Sequence, residues 1–261
     1  MRTRLRRSPA SSPCGGVSSS WRLLFLGARL FRTEGNRIKI MEILESLEVR
    51  WFMKQEQSAA AALQKWFAST PDEGERADHY LATDRNDLSF KARLSAGKPA
   101  KVETKYLVGS LGVVDLAPHM IGELQHWTKL SLALNDPKLK QHGAWLEVKK
   151  TRQLRKFDVS TAPALLAKEV AADAFVPIGC GVELTRLEYQ IADTPRIEWT
   201  FGLEAFGPKT QLLEVLRATV ESIKAQAGLP PLRPSQTLSY ASWLLALPGA
   251  AAIGSLGVVG P

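Results

Sequence analysis

Between Glu45 and Phe206 the chain repeatedly sets charged residues two positions apart, with apolar residues between them. Alternation with a period of two is the signature of a strand with two unlike faces. Glu48 and Arg50 share one face, while Leu47, Val49 and Trp51 take the other. Lys91 and Arg93 align with Ser89, and Lys101, Glu103 and Lys105 align in the next stretch. Further on, Trp127, Lys129 and Ser131 align, as do Lys150 and Arg152. Two late stretches carry Glu183, then Glu198 and Glu204. With Arg76 to Leu81 added, the pattern gives about eight strands. Gly97-Lys98-Pro99 and Asn135-Asp136-Pro137 punctuate them as turns.

This constrains the fold to a mainly β, α+β architecture: an antiparallel barrel, or tunnel, with a few flanking helices. The apolar faces must pack outward against something, and the charged faces must meet water or one another around a lumen. Cations crowded in a low-dielectric cavity repel unless an anion compensates them. A compact phosphate compound is therefore the expected ligand. Ser58 to Phe67 and Thr210 to Ala225 carry helical spacing, the latter through Leu212, Leu213, Leu216, Val220 and Ile223, and are expected as helices on the outside. Ala162 to Ala172 is a further helix candidate.

The ends differ from the middle. The chain has 261 residues and a formal charge of +8, but seven arginines precede the first acid, Glu34, and the remainder is close to neutral. Global charge is thus poor support for nucleic-acid binding. Residues 1–40 read as a disordered or mis-started extension before Met41, or as an organellar targeting segment. The expected location is cytoplasmic, or organellar if that segment is a transit peptide. Residues 41–228 form the expected tunnel domain and residues 229–261 an apolar tail. Within it, Pro248, Gly249, Gly254, Gly257 and Gly260 break the run from Leu238 to Pro261, so a packed or disordered tail is expected rather than a membrane anchor. Cys14 and Cys180 read as two reduced thiols. There is no G-x-x-x-x-G-K loop, and the four histidines show no H-E-x-x-H or triad spacing. The tryptophans Trp51, Trp66, Trp127, Trp145 and Trp199 are expected in the barrel wall and its outer packing.

From Glu45 to Phe206 these segments resemble the CYTH, or triphosphate tunnel metalloenzyme, proteins. Ser46-Leu47-Glu48-Val49-Arg50 stands where the family's opening strand reads E-x-E-x-K. Asp78-His79-Tyr80-Leu81 is similar to its D-x-Y-F segment. Lys91 with Arg93, Glu103 with Lys105, and Lys150 with Arg152 resemble its basic strands, Arg155 and Lys156 following. Glu183 resembles a late acidic position, and Gly202-Leu203-Glu204-Ala205-Phe206 a closing strand that usually ends E-x-E. Ser46 and Phe206 fall where the first and last strands would each carry another acid.

The resemblance implies an eight-stranded antiparallel tunnel that grips a triphosphate with basic side chains and holds a divalent metal with acidic ones. On it, Arg50, Lys91, Arg93, Lys105, Lys150 and Arg152 are the expected substrate clamp. Glu48 and Glu204 are the expected catalytic residues, and with Glu183 the expected ligands of Mg²⁺ or Mn²⁺. The implied activity is metal-dependent hydrolysis of an inorganic or organic triphosphate. The alternative is a non-catalytic protein that binds polyphosphate or a phosphorylated metabolite beside a degenerate metal site. Neither nucleic acid nor membrane is an expected partner.

Overall fold

The computed structural model describes residues 28–31, 39–94, 100–134, 145–160, 166–226 and 228–248. The strands in chain order are β1 (Ala28–Phe31), β2 (Lys39–Lys54), β3 (Asp72–Leu81), β4 (Leu88–Leu94), β5 (Ala100–Ala117), β6 (Met120–Leu134), β7 (Trp145–Asp158), β8 (Lys168–Val170), β9 (Gly179–Ile191) and β10 (Thr194–Phe206). Among the described residues three α-helices accompany them: α1 (Ser58–Trp66), α2 (Leu212–Lys224) and α3 (Tyr240–Ala246). Every strand pairing is antiparallel. The order β2-β10-β9-β7-β3-β4-β5-β6 closes on itself because β6 also pairs with β2. The eight-stranded antiparallel barrel expected from the alternation is therefore present. β1 extends β2 at one edge, and β8 adds to β7.

The period-two reading assigns the faces correctly. On β2, Leu47, Val49, Trp51 and Met53 point outward and are buried. With Val182 and Leu184 of β9 and Phe201, Leu203 and Ala205 of β10, they form one core under two helices. α2 contributes Leu212, Val215, Leu216, Val220 and Ile223, and α1 contributes Ala60 and Leu63. A buried leucine here contributes about 2–5 kcal/mol relative to alanine. In α2, Glu214 lies in the first turn and Lys224 in the last, each matched to the helix dipole.

A second core lies inside the barrel at one end. Phe52, Tyr80, Leu146, Val148, Leu187 and Tyr189 come from the lumen-facing positions of β2, β3, β7 and β9, and they enclose Trp243, Leu244 and Leu247. α3 thus occupies this end of the lumen. The chain reaches it by repairing the wall where β2 and β6 part. Their pairing stops at Glu48 and Gln125. Beyond that point the Leu232 carbonyl accepts from the Ile121 amide (3.0 Å), and the Leu238 amide donates to the Arg50 carbonyl (3.0 Å). Ser239 caps α3, its hydroxyl accepting from the Ser242 amide.

Two expectations change. Lys168–Val170 is a strand paired with Lys156–Asp158, so this part of the Ala162–Ala172 candidate is not helical; residues 161–165 lie outside those described. Alanine content gave a helical bias, but no apolar helical stripe supports it, and the edge of β7 offers hydrogen bonds instead. Trp127 is 3% exposed and lines the lumen rather than the outer packing, consistent with its parity with Lys129. The turns at 97–99 and 135–137, most of residues 1–40 and the tail beyond 248 lie outside the described residues. Among the described residues, no helix is long and apolar enough to cross a membrane.

Candidate functional site

The barrel encloses a cavity of about 120 Å³ lined by charged side chains from all eight strands. Arg50, Lys91, Arg93, Lys105, Lys150 and Arg152 all border it, as do Glu48, Glu183 and Glu204. Strand parity is what brings them together, since each occupies an inward position of its strand. Arg76, Tyr80, Glu103, Trp127, Lys129 and Tyr240 also line it.

The cations do not wait bare for a ligand, as the repulsion argument from sequence implied; the same strands supply their counter-ions. Asp78 is fully buried on β3. Its carboxylate takes Lys91 Nζ at 3.1 Å, Arg93 Nε at 3.0 Å and Lys150 Nζ at 3.3 Å. Burial alone would raise the pKa of Asp78, but Lys91, Lys150 and Arg93 hold it well below the usual carboxylate range. Glu103, opposite Lys91 in register, accepts from Lys91 and Arg93, each at 3.0 Å. Against the upward push of burial, those two cations bring its pKa to about 2. Arg76 Nε lies 3.9 Å from Asp78 as well, so two carboxylates serve four cations.

Lys150 is the most enclosed cation, 1% exposed. Its ammonium donates to the Tyr80 hydroxyl at 2.6 Å and lies 3.7 Å from the centre of the Tyr240 ring. Tyr240 stacks on Tyr80, their centroids 5.6 Å apart. Burial lowers the pKa of Lys150 to about 7; Asp78 opposes this, and Arg76, Arg50 and Arg93 add to it. Lys91 falls to about 8, through burial and then through Arg93.

Arg50 donates to Thr200 at 3.0 Å, pairs with Glu183 at 2.5 Å and lies 5.0 Å from the Tyr240 ring. Its guanidinium rests on the backbone of Gly202, where a Cβ would meet Arg50 Cζ at 2.7 Å. Glu183 also takes Arg152 Nη1 at 3.1 Å, and Arg152 pairs with Glu73 as well. Arg155, by contrast, lies outside the lumen, paired with Glu169 and 4.1 Å from the Trp66 ring.

The remaining corner reverses the balance. Glu48 and Glu204 stand directly opposite in the β2–β10 register. Lys105 Nζ lies 2.5 Å from Glu48 and 3.8 Å from Glu204. Ser46 donates to Glu48 at 2.5 Å. Two adjacent carboxylates are hard oxygen donors that suit a magnesium or manganese ion completing its shell with water and phosphate oxygens. Glu183 does not suit that task, because its oxygens are committed to two guanidinium groups. Among the described residues, no set of three or more His, Cys, Asp or Glu side chains is arranged to hold a metal.

Sequence reasoning placed these cations on inward faces but passed over Asp78 and Glu103 as charge partners, although both share parity with their cations. Tyr240 gave no signal, because it enters from outside the strand pattern.

No family model matches the chain, and no curated protein matches it. Solved structures that align with it include a proposed adenylyl cyclase from Hippeastrum, described as having a dominant triphosphatase activity. It is 10% identical with a TM-score of 0.36, over 77% of this chain and 94% of that one. Another is an RNA triphosphatase of S. pombe, 12% identical with a TM-score of 0.36, over 72% of this chain and 78% of that one. The closed eight-stranded antiparallel barrel with inward-facing lysines, arginines and glutamates is the architecture expected from the alternation of the sequence.

Proposed function

We propose that the tunnel binds the triphosphate group of a small molecule, or a short inorganic polyphosphate, and hydrolyses it. One observation carries this reading. Among the described residues the lumen is bordered by eight cations, namely Arg50, Arg76, Lys91, Arg93, Lys105, Lys129, Lys150 and Arg152, against five bordering carboxylates, Glu48, Glu103, Glu123, Glu183 and Glu204, with Asp78 and Glu73 paired to the cations as well. Cations stay in excess, a balance that suits a polyanion, and a divalent cation brought with a triphosphate would offset part of its charge.

The arginines supply forked donors for phosphate oxygens, and the lysines supply point charges. Arg50, bedded on Gly202 and braced by Thr200, holds its orientation before ligand arrives. Lys91, Arg93 and Lys150, gathered by Asp78, present a second group of donors. Glu48 and Glu204 would hold Mg²⁺ or Mn²⁺, which when bound would neutralise charge building on the phosphate oxygens. The small lumen and the apolar packing around α3 limit the water that reaches the reacting group.

The test is phosphate release by the full chain from tripolyphosphate, ATP and thiamine triphosphate, each with Mg²⁺ or Mn²⁺. Metal-dependent release that Glu48→Gln and Glu204→Gln abolish is the expected result. A second reading, a binding protein without turnover, is favoured by Ser46 and Phe206 standing where two more acids would complete a metal site. It predicts that tripolyphosphate raises the melting temperature without metal and that no phosphate is released.

A further inference from the structure

We infer that the ammonium of Lys105 is a resident counter-ion occupying the place of the divalent cation, and that a bound phosphate chain must draw it away before metal can settle between Glu48 and Glu204. This rests on the triphosphate reading given above and adds an order of assembly to it.

The distribution of charge carries the inference. Around Asp78 and Glu103, cations outnumber carboxylates. At Glu48 and Glu204 the ratio inverts, with two carboxylates facing each other across β2 and β10 and one ammonium between them. Like charges directly opposite on a sheet repel. Among the described residues Lys105 is the cation within ion-pair distance of both carboxylates, while Lys129 and Arg50 act on Glu204 from farther away. If Lys105 leaves, the two carboxylates lose that contact and face the lumen as a pair that suits a divalent ion.

Lys105 is also able to leave. Its side chain is 24% exposed to the lumen, whereas that of Lys150 is 1% exposed. Its strand β5 is separated from β2 by β6, so it reaches the two carboxylates across Lys129, its register partner. An incoming polyanion offers both lysines a partner and relieves that opposition. Phosphate and metal then bind synergistically, because each removes an obstacle to the other; couplings of this kind are commonly about 5- to 150-fold.

The test measures Mn²⁺ binding to the full chain by the electron paramagnetic resonance of free Mn²⁺, without turnover. The wild type is expected to bind Mn²⁺ weakly alone and at least about fivefold more tightly with saturating orthophosphate. Lys105→Met is expected to bind Mn²⁺ tightly without phosphate, and Lys105→Met combined with Glu204→Gln to lose that gain. Lys105→Arg, which keeps the charge, is expected to behave as the wild type. Equal Mn²⁺ affinity of the wild type with and without orthophosphate overturns the inference, even if Lys105→Met fails to fold. Equal affinity of the wild type and a folded Lys105→Met overturns it as well. The melting shift of the wild type with metal-free tripolyphosphate separates the two failures. If the shift is present while Lys105 has no effect on Mn²⁺, the tunnel still binds triphosphate; if it is absent, the triphosphate reading itself fails.

Discussion

The two sides of the lumen solve opposite electrostatic problems. On the side where β3 and β4 lie between β7 and β5, Asp78 and Glu103 hold together Lys91, Arg93 and Lys150. On the β2–β10 side, one lysine stands between two carboxylates. The first arrangement keeps cations concentrated without unfolding the barrel, and the second keeps carboxylates concentrated. On the proposed function the first serves an anion and the second a cation, and a uniformly basic tunnel would do only the first task.

The comparison can be broken most directly at Asp78. Removing one member of a buried charge cluster costs about 3–5 kcal/mol, because its partners are left uncompensated. Asp78→Asn is therefore expected to lower the melting temperature sharply, and tripolyphosphate to restore part of the loss by supplying the missing negative charge. A change under about 1 kcal/mol in denaturant unfolding would show that Asp78 does not hold the cations in place. Tyr240→Leu is a smaller perturbation on the same side. It removes the ring facing Lys150 and Arg50 and should cost about 1–2 kcal/mol by the same measurement.

Protons sharpen the contrast. The pKa values of Lys150 and Lys91 are depressed to about 7 and about 8. Their charge, and the anion affinity it would supply on the proposed function, is fully present only well below pH 7 and is lost as the pH rises through 7 and 8. A bound anion favours the protonated forms, so binding tripolyphosphate at pH 8 should take up about one proton. Calorimetry in buffers of different ionisation enthalpy measures this directly, and no uptake would mean that these lysines do not face the anion. The smallest effect is expected at Glu204→Gln. Burial disfavours the ionised form of Glu204, but Lys105 and Lys129 outweigh that and the opposition of Glu183, so the substitution should cost stability, by less than about 1 kcal/mol at this partly exposed site. A loss as large as that of Asp78→Asn would erase the distinction between the two sides.

Most of this was legible because side-chain parity survives folding unchanged. Lys91, Arg93, Lys105, Lys150 and Arg152 share a lumen because each strand alternates without interruption across them. The internal neutralisation was also present in the pattern: Asp78 has the parity of Arg76 and Tyr80, and Glu103 lies midway between Lys101 and Lys105. What parity cannot supply is pairing across strands, which decides that Lys91 meets Glu103 and that Glu48 meets Glu204. Turn chemistry hid one hairpin. β9 and β10 are joined by Ala192 and Asp193, both at positive φ, without the Asn-Gly signal usual for such a turn. Tyr240 was invisible for a different reason: its place depends on a gap in the wall that only the assembled barrel creates.

That gap has a consequence for how the chain comes into being. β2 is the first strand of the barrel, and its edges are completed by β6, by β10 and, around Arg50 and Trp51, by Thr237 and Leu238. During synthesis from the amino terminus, this strand waits for nearly two hundred further residues before its last hydrogen bonds can form. A chain stopped after β10 would contain every barrel strand, yet it would leave the wall open along Arg50 and the inner apolar ring without α3. Completion of the barrel is thus tied to completion of the polypeptide through residue 247.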